Sequence, residues 1–278
     1  MLKIGITGQN GFIGTHLYNT VKLTSNRFEC VEYDTSYFSN ESQLDEFVKQ
    51  CDVIVHLAAM NRHDDPEVIY ATNVDLVQKL IASLERTESQ AHILFSSSSQ
   101  EERENLYGKS KKEGRKLLEA WASDNGGRLT GLIIPNVFGP FGRPYYNSVV
   151  ATFSHQISQG EIPEIDVDGE LKLIYVGELV NEIIAKVDGI KSKSVYYVPH
   201  TSTAKVSKIL ELLKKYKQEY QDKGEIPTIR DTFELNLFNT FRCYMDIATH
   251  FPVKFKQHTD GRGSFVEIIR LGVGGQVS

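Results

Sequence analysis

The first half of the chain alternates short apolar runs with longer amphipathic segments. Apolar runs of strand length lie at 2–7, 28–33, 52–58, 92–97 and 129–135, with helical patterns between them at 12–23, 41–50, 67–86 and 107–125. Strands that alternate with helices of this length indicate βαβ units, and nearly continuous apolar strands indicate a sheet covered on both faces. The pattern therefore predicts an α/β fold built on a doubly wound parallel sheet.

The alternation weakens after Pro135. Residues 136–147, NVFGPFGRPYYN, are rich in Gly, Pro and aromatic residues and predict a structured loop. Further helical patterns lie at 148–158, 177–187, 204–221 and about 231–246, and a strand pattern lies at 194–199. We interpret residues 1–246 as one domain, in which residues from about 135 to 246 form a small mixed α/β lobe.

The last part of the chain, residues 247–278, has a different character. SFVEIIR alternates like a strand, and DGRG and GVGG are tight-turn signals. One or two strands cannot bury a core by themselves. The pattern predicts a linker followed by the opening strands of an all-β C-terminal domain that is truncated here.

Composition excludes several classes of protein. The formal net charge of -5 argues against a broad nucleic-acid surface, and no apolar run approaches the roughly 20 residues that cross a bilayer. Cys30, Cys51 and Cys243 have no paired spacing, which suits a reducing compartment. The first residues, LKIGITG, indicate a strand rather than a leader. We therefore expect a cytoplasmic protein with no nucleic-acid or membrane partner.

A glycine-rich turn follows the first predicted strand. The segment ITGQNGFIGTHL places Gly8, Gly11 and Gly14, with Phe12 and Ile13 between them, at the start of the first helix. Glycines allow a close backbone approach to a pyrophosphate, and a helix N-terminus supplies amide donors. The turn predicts a dinucleotide site, although glycines in a strand–turn–helix unit can also be purely structural.

The second predicted strand is followed by Asp34. An acidic side chain there can accept hydrogen bonds from the adenosine ribose, and it repels a 2′-phosphate. This favours NAD(H), while NADP(H) stays open if Arg27 or Lys3 folds nearby. Asp34 can also be an ordinary turn residue in YDTS.

Tyr107 and Lys111, in NLYGKSKKEGRKLL, are four residues apart at the start of a predicted helix. They would leave one helix face, so the lysine ammonium could stabilise the tyrosine phenolate and also hydrogen-bond the nicotinamide ribose. Tyr107 could then give a proton to a carbonyl oxygen as hydride reaches the carbon, with a hydroxyl from Ser97 or Ser98 holding that oxygen. The alternative is an ordinary aromatic residue that opens a basic helix.

These motifs, taken together, resemble the extended branch of the short-chain dehydrogenase/reductases. TGQNGFIG, HLAA (56–59), NV (73–74), FSSS (95–98) and YGKSK (107–111) occur in that family's order. The resemblance implies a Rossmann-like sheet and often a homodimer formed through the helices at 67–86 and 107–125. It also implies a catalytic Ser98 with Tyr107 and Lys111, a nicotinamide-side wall of Leu57, Ala58 and Ala59, and a helix-shaping Asn73.

A narrower resemblance comes from three other segments. HLAAMNR contains Asn61 and Arg62, PNVFGPFGRPYYNSVVATF contains Asn136, Arg143 and Asn147, and the tail resembles the opening strands of a cupin. Together they are similar to bifunctional capsule-biosynthesis enzymes that make UDP-2-acetamido-2,6-dideoxy-L-talose on the route to UDP-N-acetyl-L-fucosamine. This implies NADPH-dependent reduction of the C4 ketone of a UDP-4-keto-6-deoxy-N-acetylhexosamine, with the five named residues at the UDP-sugar.

Arginines can pair with phosphate oxygens bidentately, and Asn147 is expected to cap the helix that follows it. Either arginine can also be a surface ion pair. The cupin's metal ligands would lie beyond Ser278, so we predict no metal site in this fragment. The expected cofactor is NADP(H) or NAD(H). The resemblance implies NADPH, whose binding would suit a basic residue after the second strand, but this chain has Asp34 at that place.

Two other functions stay open at this point. One is a redox-neutral nucleotide-sugar epimerase or dehydratase with tightly held NAD(H). Dehydratases need an Asp-Glu pair beside the serine; here Gln100 precedes Glu101 and Glu102, which we interpret as solvated loop carboxylates. The other is a non-enzymatic dinucleotide-binding sensor, although sensors of that kind typically lose the tyrosine or the lysine.

Overall fold

The computed structural model describes residues 1–24, 26–187, 189, 193–252, 257–271 and 276–277. The chain forms two compact units. Unit 1 comprises Met1–Val137 and Val176–His200, and unit 2 comprises Phe138–Tyr175 and Thr201–Ser278. The boundary that we predict at residue 246 stays a prediction.

The strands in chain order are β1 (Leu2–Thr7), β2 (Phe28–Val31), β3 (Val53–His56), β4 (His92–Ser98), β5 (Arg128–Ile134), β6 (Asn136–Phe138), β7 (Glu170–Tyr175), β8 (Lys193–Tyr197), β9 (Ser202–Lys205), β10 (Glu225–Ile226), β11 (Gln257–Asp260), β12 (Gly263–Val266), β13 (Ile269–Leu271) and β14 (Gln276–Val277). The α-helices are α1 (Phe12–Leu23), α2 (Glu41–Gln50), α3 (Pro66–Arg86), α4 (Leu106–Asn125), α5 (Val149–Gln159), α6 (Val176–Val187), α7 (Val206–Tyr216), α8 (Thr232–Arg242) and α9 (Ile247–His250).

Unit 1 is built on a six-stranded parallel sheet in the order β2-β1-β3-β4-β5-β8. Helices α2, α3 and α4 pack beside one another, and α1 packs beside α6. The strands are apolar along their length: Ile4, Ile54 and Leu94 are fully buried. The strand order reverses between β1 and β3, and such a switch point is where parallel α/β sheets bind ligands. The predicted doubly wound fold is confirmed.

Local signals set the helix starts in unit 1. Asn40, Asp65 and Asn105 accept hydrogen bonds from the first-turn amides of α2, α3 and α4. The predicted strands 28–33 and 52–58 are longer than β2 and β3, because residues 32–34 and 57–58 have already left the sheet at its carboxyl edge.

A second sheet has three strands in the order β6-β7-β9, of which β7 and β9 belong to unit 2, and α5, α7 and α8 contribute to the core of that unit. The loop predicted at 136–147 is wrong at its start, where residues 136–138 form β6. The predicted helix 204–221 is shorter: α7 ends at Tyr216, and Lys217–Gln221 form a π-helical turn. The sequence pattern does not predict β6, β7 and β9, because these strands are short and depend on pairing between distant segments.

The tail contains an antiparallel hairpin of β11 and β12 around the predicted DGRG turn. β13 pairs in parallel with β10 and antiparallel with β14. The predicted GVGG turn, residues 272–275, lies outside the described residues. None of the helices within the described ranges has the length and hydropathy needed to cross a membrane.

Candidate active site

The glycine turn between β1 and α1 forms a close-packed cradle. Gly8 has a φ of 72°, and its carbonyl accepts from the amide of Gly11 at 2.9 Å. A Cβ on Gly8 would lie 2.7 Å from the Ala58 nitrogen, and one on Gly14 would collide with the Gly8 carbonyl. α1 begins at Phe12, and its N-cap residue, Gly11, has no side chain that could cap the first amides of the helix. The space and the amide donors fit a pyrophosphate.

The segment after β3 is tied to this turn and to α3. Ala58 N donates to Thr7 Oγ1 at 3.3 Å, and Leu57 N donates to the Thr7 carbonyl at 3.1 Å. Asn73 Oδ1 accepts from Met60 N at 2.7 Å, and its Nδ2 donates to the Met60 carbonyl at 3.0 Å. Asn73 therefore holds the backbone just beyond residues 57–59, the wall that we predict on the nicotinamide side.

His56, at the end of β3, is a buried neutral imidazole. Its Nδ1 lies 2.8 Å from Thr7 Oγ1, and its ring stacks on Phe95 at 5.8 Å between centroids. Burial, together with the nearby charge of Lys111, lowers the pKa of His56 to about 3. Its Nε2 has no hydrogen-bond partner among the described residues. His56 is not among the residues predicted at the site, and its position supports the wall structurally.

Asp34 follows β2 at the same edge of the sheet and is exposed. Its Oδ1 accepts from Ser36 N at 2.8 Å, and hydrogen bonds from Ser36 lower the pKa of the carboxyl group. It therefore caps a 3₁₀ helix, Thr35–Ser39, while its carboxylate stays ionised. Arg27 and Lys3 lie at the opposite, amino ends of β2 and β1, so neither neutralises Asp34.

α4 brings Tyr107 and Lys111 to one face. The side chain of Asn105 caps the helix by accepting from Gly108 N at 2.7 Å. Lys111 is 4% exposed, and its Nζ lies 5.9 Å from the centroid of the Tyr107 ring and 5.3 Å from that of Phe95. Burial lowers the pKa of Lys111 to about 8, against the opposing effect of the Glu101 charge.

A chain of hydrogen bonds links this helix to the wall. Asn73 Nδ2 donates to Ser110 Oγ at 3.0 Å, and Ser110 Oγ donates to the Tyr107 carbonyl at 2.7 Å. Asn73 thus contacts both the backbone beyond residues 57–59 and the first turn of α4. The structure brings the predicted tyrosine, lysine and asparagine together.

The serines at the end of β4 have different environments. Ser96 Oγ donates to the His56 carbonyl, and Ser97 Oγ donates to Glu101; both side chains are buried. Ser98 is half-buried, and its Oγ accepts from Gln100 N at 3.2 Å, which leaves its own hydrogen for donation. Of these three serines, Ser98 is the one whose hydroxyl can donate a hydrogen bond to a ligand.

The expectation that Glu101 is a solvated loop carboxylate is wrong. Glu101 is 8% exposed and forms an ion pair with Arg115, with Nη2 and Oε2 2.8 Å apart. The members of this pair are fourteen residues apart, so no local pattern in the sequence marks their contact. Glu102 is exposed, as expected.

The five residues that we predict at the substrate divide between the two units. Asn61, Arg62 and Asn136 belong to unit 1, and Arg143 and Asn147 belong to unit 2. The Arg143 guanidinium lies 5.4 Å from the centroid of the Tyr146 ring. The expected capping role of Asn147 is wrong: Ser148 is the N-cap of α5 and accepts from Ala151 N at 3.3 Å.

In the part of the chain that the structure describes, no group of three or more His, Cys, Asp or Glu side chains is arranged to hold a metal ion. The predicted absence of a metal site stays a prediction.

Comparison with known proteins agrees with this geometry. Residues 4–196 match the NAD dependent epimerase/dehydratase family, and the chain belongs to that family. Over 283 aligned residues it is 30% identical to the UDP-2-acetamido-2,6-beta-L-arabino-hexul-4-ose reductase of Pseudomonas aeruginosa, covering 100% of this chain and 74% of that protein.

Two solved structures illustrate the range of similarity. The capsular polysaccharide assembling protein CapF from Staphylococcus aureus superposes with a TM-score of 0.83 at 32% identity, over 99% of this chain and 73% of CapF. The UDP-glucuronic acid 4-epimerase from Bacillus cereus, solved with UDP-glucuronic acid and NAD, has a TM-score of 0.73 at 17% identity, over 87% of this chain and 99% of that one. The second similarity concerns the fold alone.

Proposed function

We propose that the protein reduces the C4 ketone of a UDP-4-keto-6-deoxy-N-acetylhexosamine with a reduced nicotinamide cofactor. The observation that carries the proposal is the placement of Tyr107 and the buried Lys111 on one face of α4, with Asn73 tying that helix to the wall at residues 57–59. The similarity to a UDP-sugar 4-ketone reductase supports this choice of substrate.

The cofactor supplies hydride to C4 when it is bound. Tyr107 donates its phenolic proton to the ketone oxygen, so that the C=O bond becomes a CH–OH group. Ser98 donates a hydrogen bond to the same oxygen and orients it. Lys111 stabilises the phenolate that Tyr107 becomes, because a nearby positive charge favours the ionised form. A positioned proton donor of this kind contributes about 10²–10⁴-fold in rate.

NADH is the nucleotide that the residues favour. Asp34 is exposed and ionised at the carboxyl edge of the sheet, where the adenosine ribose is expected. A 2′-phosphate placed there would meet a like charge, whereas the two hydroxyls of NADH can donate to the carboxylate. Arg27 and Lys3 lie at the other edge and cannot offset that repulsion.

The UDP moiety is proposed to contact Asn61, Arg62, Asn136, Arg143 and Asn147. Guanidinium groups recognise phosphate oxygens bidentately, and Arg62 and Arg143 are both exposed. A homodimer through α3 and α4 and a cytoplasmic location also belong to the proposal. Three free thiols, Cys30, Cys51 and Cys243, suit a reducing compartment.

Dehydration is a less suitable function for this site. Glu101 corresponds in sequence to the region where dehydratases carry their acid/base pair, but its carboxylate is committed to Arg115 and Ser97. Both oxygens of this carboxylate already have partners inside the protein, so it is not placed to exchange a proton with a substrate. Retention of both Tyr107 and Lys111 likewise argues against a non-enzymatic sensor.

The test supplies purified protein with the UDP-4-keto-6-deoxy-N-acetylhexosamine and follows the absorbance of NADH or NADPH in parallel reactions. The expected result is stoichiometric oxidation of the cofactor and a product with a C4 hydroxyl group. UDP-N-acetylglucosamine, which has no ketone, is the control substrate. Unchanged absorbance with both nucleotides, in protein that binds cofactor, would overturn the proposal. Turnover of the sugar without added reductant would point to an epimerase.

A further inference from the structure

The side chain of Glu101 joins the strand that ends in Ser98 to the helix that begins next to Tyr107. Ser97 Oγ, at the end of β4, donates to Glu101 Oε1. Arg115, on α4, donates from Nε to Oε1 at 2.9 Å and from Nη2 to Oε2 at 2.8 Å. One carboxylate therefore contacts the neighbour of Ser98 and the helix that carries Tyr107.

This connection lies in the interior of unit 1. The side chains of Glu101 and Arg115 are only 7% and 11% exposed. Gly131, in β5, makes room for the arginine, because a Cβ there would lie 2.7 Å from Arg115 Cδ. A bidentate guanidinium–carboxylate pair has a defined geometry, and burial protects it from screening. The pair can therefore act as a rigid tether.

The turn that carries Glu101 is packed at both of its ends. Ser98 is the N-cap of the 3₁₀ helix Ser99–Glu102, because its Oγ accepts from Gln100 N. A Cβ on Gly108 would collide with the Gln100 carbonyl, so the turn rests directly on the first turn of α4. A shift of this turn would therefore move Ser98 relative to Tyr107.

We propose that Glu101 is a positioning residue for the reduction, and that its bonds to Arg115 and Ser97 set the separation between the Ser98 and Tyr107 hydroxyls. The inference rests on the proposed function and adds a residue that acts through others rather than on the substrate. Hydroxyls that hold one ketone oxygen must be placed within a fraction of an ångström, since a misplacement of about 1 Å can cost about a hundredfold in rate.

Glu119 provides a matched control. It also pairs with Arg115, with Nη1 and Oε1 2.5 Å apart, and its side chain is 29% exposed. Arg115 and Glu119 both belong to α4, so this bond stays within one helix. Removal of Glu119 takes a carboxylate from the same guanidinium without releasing the turn after Ser98.

Glu101 also acts on Lys111 through its charge. The groups that face the Lys111 ammonium are Glu101 from the 3₁₀ turn, neutral His56 from β3, the Phe95 ring from β4 and the Tyr107 ring from its own helix. The negative charge of Glu101 raises the pKa of Lys111, against the larger lowering by burial. Loss of this carboxylate would therefore lower the pKa of Lys111.

The experiment compares the wild type with Glu101→Ala, Glu101→Gln and Glu119→Ala, using the UDP-ketosugar and NADH. Glu101→Ala is expected to lower kcat about a hundredfold with both KM values within about threefold of wild type. Glu101→Gln keeps the size of the side chain and serves as the second variant if Glu101→Ala does not fold. It should lower kcat about tenfold. It should also move the alkaline fall in kcat to lower pH, which a purely structural role would not do. Glu119→Ala should stay within about threefold of wild type in kcat and KM.

Glu101 variants that match Glu119→Ala in kcat and in pH profile would overturn the inference, while wild-type activity would still uphold the proposed function. If the wild type leaves the ketone unreduced, the proposed function fails by itself. Crystal structures of the wild type and Glu101→Gln with NADH then decide the inference. A displacement of Ser98 Oγ relative to Tyr107 Oη by about 1 Å would support it, and unchanged positions would overturn it.

Discussion

The Lys111 ammonium lies 5.9 Å from the centroid of the Tyr107 ring, one turn along α4, and is buried beside Phe95. A lysine in this position retains its charge less readily than one in water, and its pKa falls to about 8. The pair therefore couples the charge of a buried lysine to the proton that Tyr107 would donate.

This coupling predicts a pH dependence of the reduction. Lys111 is charged below its pKa of about 8 and becomes neutral above it. Because the charged form stabilises the Tyr107 phenolate, kcat should be constant on the acid side and fall as pH rises through about 8. The measurement is kcat with saturating substrates across that range. Lys111→Met should have little activity and no fall at this pH, and a wild-type profile that stays flat would contradict the assignment.

Replacing Tyr107 by phenylalanine removes the proposed proton donor and keeps the ring. We expect kcat to fall by about 10²–10⁴-fold, with NADH affinity, measured by fluorescence, within about twofold of wild type. Tyr18→Phe is a matched control, because Lys22 Nζ lies 5.3 Å from the Tyr18 ring on α1 with the same spacing in sequence. Equal effects of the two substitutions would exclude a catalytic role for Tyr107.

Gly14→Ala tests the cradle at the start of α1. A Cβ there would collide with the Gly8 carbonyl, so the substitution should lower the free energy of unfolding by about 1–3 kcal/mol and weaken cofactor binding at least about tenfold. Gly169→Ala is the control, since nothing among the described residues lies within 4 Å of a Cβ there. Urea unfolding and NADH titration measure the two effects. Normal cofactor affinity in Gly14→Ala would show that the turn does not hold the pyrophosphate.

Asp34→Ala tests the choice of nucleotide. Removing the exposed carboxylate takes away acceptors for the ribose of NADH and a like charge from the 2′-phosphate of NADPH. The ratio of kcat/KM for NADH to that for NADPH should fall about tenfold or more. Glu32→Ala removes an exposed carboxylate two residues earlier and should leave the ratio unchanged. A wild-type preference for NADPH that is insensitive to Asp34 would refute the assignment.

Local patterns in the sequence determined the main fold and the placement of Tyr107 beside Lys111. The period of the apolar residues predicts α1 and α2 with the bounds that the structure has. Gly8, Gly11 and Gly14 mark the turn: Gly8 has a positive φ that favours glycine, and neither Gly8 nor Gly14 has room for a Cβ. Tyr107 and Lys111 are four residues apart on a helix, so their proximity also follows from the sequence.

The tertiary structure alone decided which polar groups are buried and what they contact. In the sequence, Glu101 has the pattern of a surface carboxylate. In the structure it is buried against Arg115, which comes from another element and lies in the space beside Gly131. The loss of solvent that lowers the pKa of Lys111 likewise comes from packing around α4. Short strands such as β6 and β9 exist because distant segments pair with them. Burial and long-range pairing depend on residues far apart in the chain, and no local period records them.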